Sequence, residues 1–311
     1  MRSQFFTLSL LLVVLLSGQA NSAEPSAADA GDSAEPTPPR FLIQRGLVYV
    51  ERDKHSLRAD VYVPHTDGPR PAVLVVHGGA WMTGRRTQLA GVARRLAEAG
   101  YTAVAISYRL APRYPFPAQI DDCRAAVRWM RQNADRLKID PQLVGGFGYS
   151  AGGHLVALLG TADEPAGPNA LRAETDADSA SANEPSTRIQ AYVAGAAPCD
   201  FRILPLNVTA LSYWLGGTRR EKPTIYEQAS PVHFVSADDP PAFFYHGTKD
   251  AIVPLVSSTA MVVALRQVGV TAELYQVADA GHIHAVFNQQ AIRAGIEFLD
   301  RHLRDNDDQK E

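Results

Sequence analysis

The chain has 311 residues, 46% of them hydrophobic, which suits a single α/β domain with insertions and a sizeable core. Its formal charge of −3 is small and spread along the sequence, so no basic face is available for nucleic acid. No internal repeat divides the chain, and its two cysteines, Cys123 and Cys199, are too few for a disulfide scaffold.

At the N-terminus Arg2 precedes an apolar stretch over residues 8–16, and small residues follow as far as Ala23. This reads as a secretory signal peptide over residues 1–23 and predicts a secreted or periplasmic protein. The apolar run falls short of the ~20 residues of a membrane span, so no stable membrane insertion is expected after cleavage. An uncleaved anchor is the alternative. No cysteine lies near the cleavage site to carry a lipid. Residues 24–40, rich in Ala, Pro, Glu and Asp, read as a flexible tether, and residues 41–305 as the folded domain.

Strand-like and helix-like runs then alternate. Residues 47–51 and 58–63 predict an antiparallel opening pair. Residues 72–76 (Ala-Val-Leu-Val-Val) predict a strand buried on both faces. Leu89, Val92, Leu96 and Ala99 share one helical face, with Gly100 as the stop. A strand over 101–107 and a long helix over 119–137 follow. Cys123 sits on that helix's buried face with Ile120, Val127 and Met130, which favours two unpaired core thiols over a bridge. Strands at 143–147, 189–194, 241–245 and 270–277 and helices at 254–268 and 288–303 complete the pattern. Repeated β–α units predict a mostly parallel sheet with helices on both faces. Two stretches break the rhythm. Residues 162–186 read as an acidic surface loop, and residues 200–239 as a small cap or lid.

Where the 143–147 strand gives way to a helical run stands Gly148-Tyr149-Ser150-Ala151-Gly152. A serine on so sharp a turn strains its backbone, and glycines two residues either side remove the clashing side chains. The turn lifts the hydroxyl clear of the sheet. It also sets the free N–H groups of the next helix beside any developing negative charge, with Ala151 as the first donor. An ordinary Gly/Ser turn would give the same letters, so partners decide. His77-Gly78-Gly79-Ala80-Trp81 follows a buried strand, where its backbone can curl so that N–H groups face a substrate carbonyl. Asp250 lies on the loop leaving the 241–245 strand, at the carboxyl end where catalytic groups of open parallel sheets gather. Asp238 and Asp239 precede that strand, and Asp279 shares a loop with the histidine. His282 stands on the loop after the last strand, with His284 two residues on as the alternative base. The order Ser150, Asp250, His282 is that of this architecture.

These motifs resemble the α/β-hydrolase superfamily and, within it, hormone-sensitive-lipase-like esterases, particularly the branch with bifunctional acetylxylan/feruloyl esterases. The resemblance rests on His77-Gly78-Gly79-Ala80-Trp81, Tyr108-Arg109-Leu110-Ala111-Pro112, Phe116-Pro117-Ala118-Gln119-Ile120-Asp121-Asp122, the Ser150 elbow through His154, Ala229-Ser230-Pro231, His246-Gly247-Thr248-Lys249-Asp250 and Gly281-His282. It implies an α/β-hydrolase fold with a small cap and oxyanion donors at Gly79, Ala80 and Ala151. One departure is Ile283-His284 after Gly281-His282, where the family usually has a small residue and an aromatic. Tyr108-Arg109-Leu110 and Asp121-Asp122 are expected to brace the fold, and His154 to pack at the start of the nucleophile helix. Trp81 either lines an acyl pocket or fills core.

The expected activity is hydrolysis of short-chain carboxylic esters through an acyl-enzyme, on small-molecule or carbohydrate esters, acetyl or feruloyl groups included. No metal or organic cofactor is expected. An amidase, formamidase or peptidase on the same residues, or a catalytically dead binding protein, stands as the alternative. Oligomeric state is not encoded in these motifs.

Overall fold

The computed structural model describes residues 40–52, 55–162 and 185–304. The expected signal peptide, nearly all of the tether and most of the acidic loop lie outside them. The strands are β1 (Phe41–Arg52), β2 (His55–Pro64), β3 (Arg70–Val76), β4 (Thr102–Ile106), β5 (Ile139–Tyr149), β6 (Tyr192–Gly195), β7 (Ala242–Gly247) and β8 (Ala272–Val277). The helices are α1 (Ala90–Glu98), α2 (Ala118–Gln132), α3 (Ala134–Leu137), α4 (Ala151–Thr161), α5 (Ser212–Leu215), α6 (Pro223–Gln228), α7 (Val256–Gln267), α8 (His282–Val286) and α9 (Gln289–Leu303).

The strands form one eight-stranded sheet in the order β1-β2-β4-β3-β5-β6-β7-β8. β1 pairs with β2, and β2 with β4, antiparallel, while every pairing from β4 to β8 is parallel. From β3 the chain steps one way to β4, then returns to β3's other side for β5 and proceeds outward to β8. Ligands of open α/β sheets bind at such a reversal, outside the carboxyl ends of the strands.

Two hydrophobic layers hold the sheet, because alternate residues of a strand face opposite sides. In β3, Ala72, Leu74 and Val76 enter one layer with Ile120, Cys123, Val127 and Met130 of α2, Leu155 and Leu158 of α4, and Leu265 of α7. Val73 and Val75 enter the other, with Leu96 of α1 and Ile292, Ile296, Leu299 and Leu303 of α9. Cys123 and Cys199 are both free and buried.

Three local expectations change. The helix expected over 119–137 divides at Asn133, whose side chain and backbone N–H both donate to the Trp129 carbonyl, at 2.9 and 3.0 Å. The backbone bond is an ordinary helical one, and it is the side-chain bond to the same carbonyl that competes with helix continuation. The strand expected at 189–194 begins only at Tyr192 and is four residues long. His282 is not on a loop but is the first residue of α8, with Gly281 as its N-cap.

Residues 200–239 carry α5, α6 and a 3₁₀ turn (Pro231–His233). This insertion is seated on the body rather than hinged away from it. Trp214 is fully buried, the Phe116 N–H donates to its carbonyl at 2.8 Å, and its own indole N–H donates to Gln119 Oε1 at 3.0 Å. Among the described residues no helix is long and apolar enough to cross a membrane.

Candidate active site

The turn between β5 and α4 places Ser150 at φ 55° and ψ −120°. This sparsely populated conformation costs on the order of 1–3 kcal/mol unless its surroundings enforce it. They do so on both sides. The Ser150 N–H donates to the Gly195 carbonyl at 2.7 Å, and the His154 N–H donates to the Ser150 carbonyl at 2.9 Å. The flanking glycines are a packing requirement. A Cβ on Gly148 would stand 2.1 Å from the Gly152 carbonyl oxygen, and one on Gly152 would stand 2.0 Å from that of Val76.

From α8, His282 Nε2 lies 2.9 Å from Ser150 Oγ, and its Nδ1 lies 2.6 Å from Asp250 Oδ2. A carboxylate only accepts, so Nδ1 carries the proton and donates. Nε2 of the neutral ring is then the acceptor for the serine hydroxyl. The Asp250 side chain is fully buried and fully bonded. Its Oδ1 accepts from the N–H groups of Ile252 and Val253, both at 2.9 Å. Burial pushes this carboxyl up, but hydrogen bonds from His246 and His282 outweigh it and hold the group well below the usual carboxylate range. Asp250 is therefore an anion at neutral pH. The Tyr149 hydroxyl donates to the His282 carbonyl and ties the start of α8 to the elbow.

His246 is a residue that sequence reasoning passed over. It is fully buried on β7, with Nε2 2.8 Å from the Val253 carbonyl and 3.3 Å from Asp250 Oδ2, and Nδ1 2.8 Å from Ser258 Oγ. The available signal was its position four residues before Asp250.

The competing acids lie elsewhere. Asp238 pairs with Arg188 at 3.0 Å before β7, and Asp239 bonds Ser236 on the same loop. Asp279 pairs with Lys249 at 2.8 Å on the surface. His284 is exposed. Two residues along a helix is a rotation of about 200°, so α8 turns His284 away when His282 faces in.

The loop after β3 lies directly against the elbow. A Cβ on Gly78 would stand 2.9 Å from the Tyr149 carbonyl oxygen and 3.3 Å from Ser150 Cβ. Four consecutive carbonyls of this loop are tied back. Gly78 accepts from His77 Nδ1 at 2.7 Å, Gly79 from the N–H groups of Met82 and Thr83 at 3.0 Å, Ala80 from the Tyr213 hydroxyl at 2.7 Å, and Trp81 from the Ala111 N–H at 2.9 Å. In a trans peptide the N–H points opposite to its carbonyl. With the Gly78 and Gly79 carbonyls held back, the N–H groups of Gly79 and Ala80 project the other way. Among the described residues neither donates to another group, and neither does Ala151 at the start of α4. Two of these donors lie on the loop packed against the elbow and the third at the N-terminus of α4, an arrangement suited to an oxyanion.

The remaining expected residues are structural. Arg109 Nε lies 3.0 Å from both oxygens of the fully buried Asp122, bracing the loop before α2. Trp81 fills core. Its ring stacks on Trp214 at 3.6 Å, and its indole N–H donates to His154 Nδ1 at 3.2 Å. His154 Nε2 in turn donates to the Ala229 carbonyl at 2.7 Å. Burial lowers His154 and His77 to about 4, so both rings are neutral. Among the described residues no cluster of three or more His, Cys, Asp or Glu side chains is placed to hold a metal ion.

A mostly parallel sheet with a serine on a glycine-flanked turn beside its reversal point, an aspartate on the loop after β7 and a histidine opening the short helix after β8, defines an α/β-hydrolase. The chain belongs to the BD-FAE family, whose model matches residues 59–265. It is 30% identical over 221 residues to Esterase LipC of Mycobacterium tuberculosis, covering 69% of this chain and 53% of that one. The chain spans about half the length of the curated relatives it matches first. Among solved structures it is similar to a truncated carbohydrate esterase from gut microbiota, with a TM-score of 0.74, 26% identity and coverage of 86% and 98%. It is also similar to the butyrate-bound esterase Est2 of Thermogutta terrifontis, with a TM-score of 0.69, 26% identity and coverage of 85% and 94%.

Proposed function

We propose that the protein is a serine hydrolase that cleaves short-chain carboxylic esters through an acyl-enzyme. The observation that carries this reading is the unbroken chain from Ser150 Oγ through His282 to Asp250, at 2.9 and 2.6 Å, beside three unused backbone donors. Ser150 attacks the ester carbonyl while His282 Nε2 takes its proton. Asp250 holds the imidazole in the accepting tautomer and stabilises the imidazolium. The N–H groups of Gly79, Ala80 and Ala151 receive the oxyanion. The protonated His282 then gives its proton to the leaving alcohol, and the same residues admit water to release the acid.

The small insertion supports a short acyl group, since its helices α5 and α6 span four and six residues and carry no long apolar run. Similarity to a carbohydrate esterase and to a butyrate-bound esterase supports short acyl esters, those of carbohydrates included, and the motif resemblance adds acetyl and feruloyl groups as candidates. The N-terminal sequence supports action outside the cytoplasm. The test is Ser150→Ala. Hydrolysis of p-nitrophenyl acetate should fall by several orders of magnitude with an unchanged thermal midpoint, and a fluorophosphonate label should be lost. Retention of most of the activity would remove Ser150 from its role.

A further inference from the structure

The insertion after β6 touches the oxyanion loop through Phe201, Tyr213 and Trp214, and we propose that it sets the geometry of that loop, with Tyr213 as a positioning residue for the oxyanion donors. This rests on the reading of Ser150 as the nucleophile. Ala80 and Trp81 are consecutive non-glycine residues at positive φ, 51° and 57°. Both lie in a sparsely populated region that persists only where the surroundings enforce it, and turning the peptide plane between them changes ψ of Ala80 and φ of Trp81. The carbonyl of that plane belongs to Ala80, and Tyr213 donates to it at 2.7 Å across a separation of 133 residues. The carbonyls of Gly78, Gly79 and Trp81 take donors from the loop itself or from the adjoining body. Ala80's donor comes from the insertion.

The donor is itself held firmly. Tyr213 precedes Trp214 on α5, and the Trp214 ring lies flat against Trp81, 3.6 Å away with 1° between the planes. Trp214 is anchored in turn to Gln119 of α2 and to the Phe116 N–H. Burial pushes the Tyr213 hydroxyl up to about 12, so it stays protonated, and a donor, at any working pH. Removing it frees the Ala80 carbonyl and lets the 80–81 plane turn. The Ala80 N–H lies on the neighbouring 79–80 plane, so with the Ala80 carbonyl released the positive φ of Ala80 is held by one bond fewer, and relaxation of that φ turns the donor. Substrate binding does not use that donor fully. The transition state does.

The test compares wild type, Tyr213→Phe and Arg220→Gln, the last altering an exposed residue of the same insertion that bonds Asn207. Each is assayed for kcat and KM on p-nitrophenyl acetate, for affinity toward an alkyl boronic acid that forms a tetrahedral adduct on serine, and for thermal midpoint. Tyr213→Phe should lower kcat roughly tenfold, less than the ~10²–10³ of deleting an oxyanion donor outright. KM should stay within about twofold, boronate affinity should fall with kcat, and the midpoint should hold. Arg220→Gln should match wild type in every readout. An unchanged kcat, a loss confined to KM, or a kcat loss without weaker boronate binding would overturn the proposal while leaving the hydrolase reading intact. A wild-type protein that neither turns over the ester nor binds the boronate would overturn both.

Discussion

His246 and Asp250 meet inside the protein with Nε2 3.3 Å from Oδ2, the same oxygen that takes the 2.6 Å bond from His282. Asp250 is thus held between two histidines, one buried in β7 and one facing the serine. Its two carboxylate oxygens have different duties, since Oδ1 accepts two backbone N–H groups and Oδ2 serves the rings. Such an anion is fixed in orientation before any substrate arrives.

Asp250→Asn should lower kcat by as much as ~10⁴, since an amide can present a donor to His282 and stabilise the wrong tautomer. His246→Leu should cost only about tenfold, near 1.4 kcal/mol of barrier, because the two backbone bonds to Oδ1 remain. Steady-state kinetics on an aryl acetate separates them. Equal losses, or no loss for Asp250→Asn, would reassign the acid.

His282→Ala should be as damaging as Ser150→Ala, and His284→Ala close to wild type, because α8 points the second ring outward. The measurement is kcat/KM for the three variants. A reversed ranking of the histidines would move the base to His284.

Acid should weaken the fold before it dissolves the site. His77 and His154 are buried and neutral, lowered to about 4 by desolvation, whereas unfolded imidazoles take a proton near ~6.5. Between those values the unfolded chain binds more protons, so stability falls as pH falls, by up to about 3 kcal/mol for each ring. Asp239, raised to about 6 by burial, has the opposite slope and offsets part of the loss. The urea midpoint should therefore drop between pH 6.5 and 4.5, and more steeply in Asp239→Asn. Flat midpoints in both proteins would contradict this.

Acyl length gives the substrate prediction. Four-carbon p-nitrophenyl esters should turn over faster than sixteen-carbon ones, with no rate jump at an oil–water interface and no effect of a chelator. Faster hydrolysis of the long chain would point to a true lipase.

Much of this arrangement was readable from the sequence where sterics leave one option. Gly148 and Gly152 flank Ser150 because a Cβ at either would collide with backbone, and the apolar run at 72–76 could only be a strand covered on both faces. The choice between His282 and His284 was not readable, because it depends on the rotation of a five-residue helix that spacing alone does not predict. Asn133 divides its helix through a side-chain bond to Trp129 that competes with a periodicity otherwise unbroken. The pairing of Tyr213 with Ala80 spans 133 residues and involves a carbonyl, which every residue has, so no letter announces it.

The order of strands in the sheet also bears on when this protein becomes active. Ser150 leaves the interior strand β5, whereas Asp250 and His282 follow β7 and β8, the last two strands toward one edge. His282 meets Ser150 across 132 residues of chain and Asp250 across 32. Contacts so distant in sequence form late, and edge elements are the first to open in native-state fluctuations. An intermediate with β3 to β6 assembled would hold the elbow and the oxyanion loop yet lack a base. Turnover during refolding should therefore lag behind the burial of the central strands and report the docking of β8.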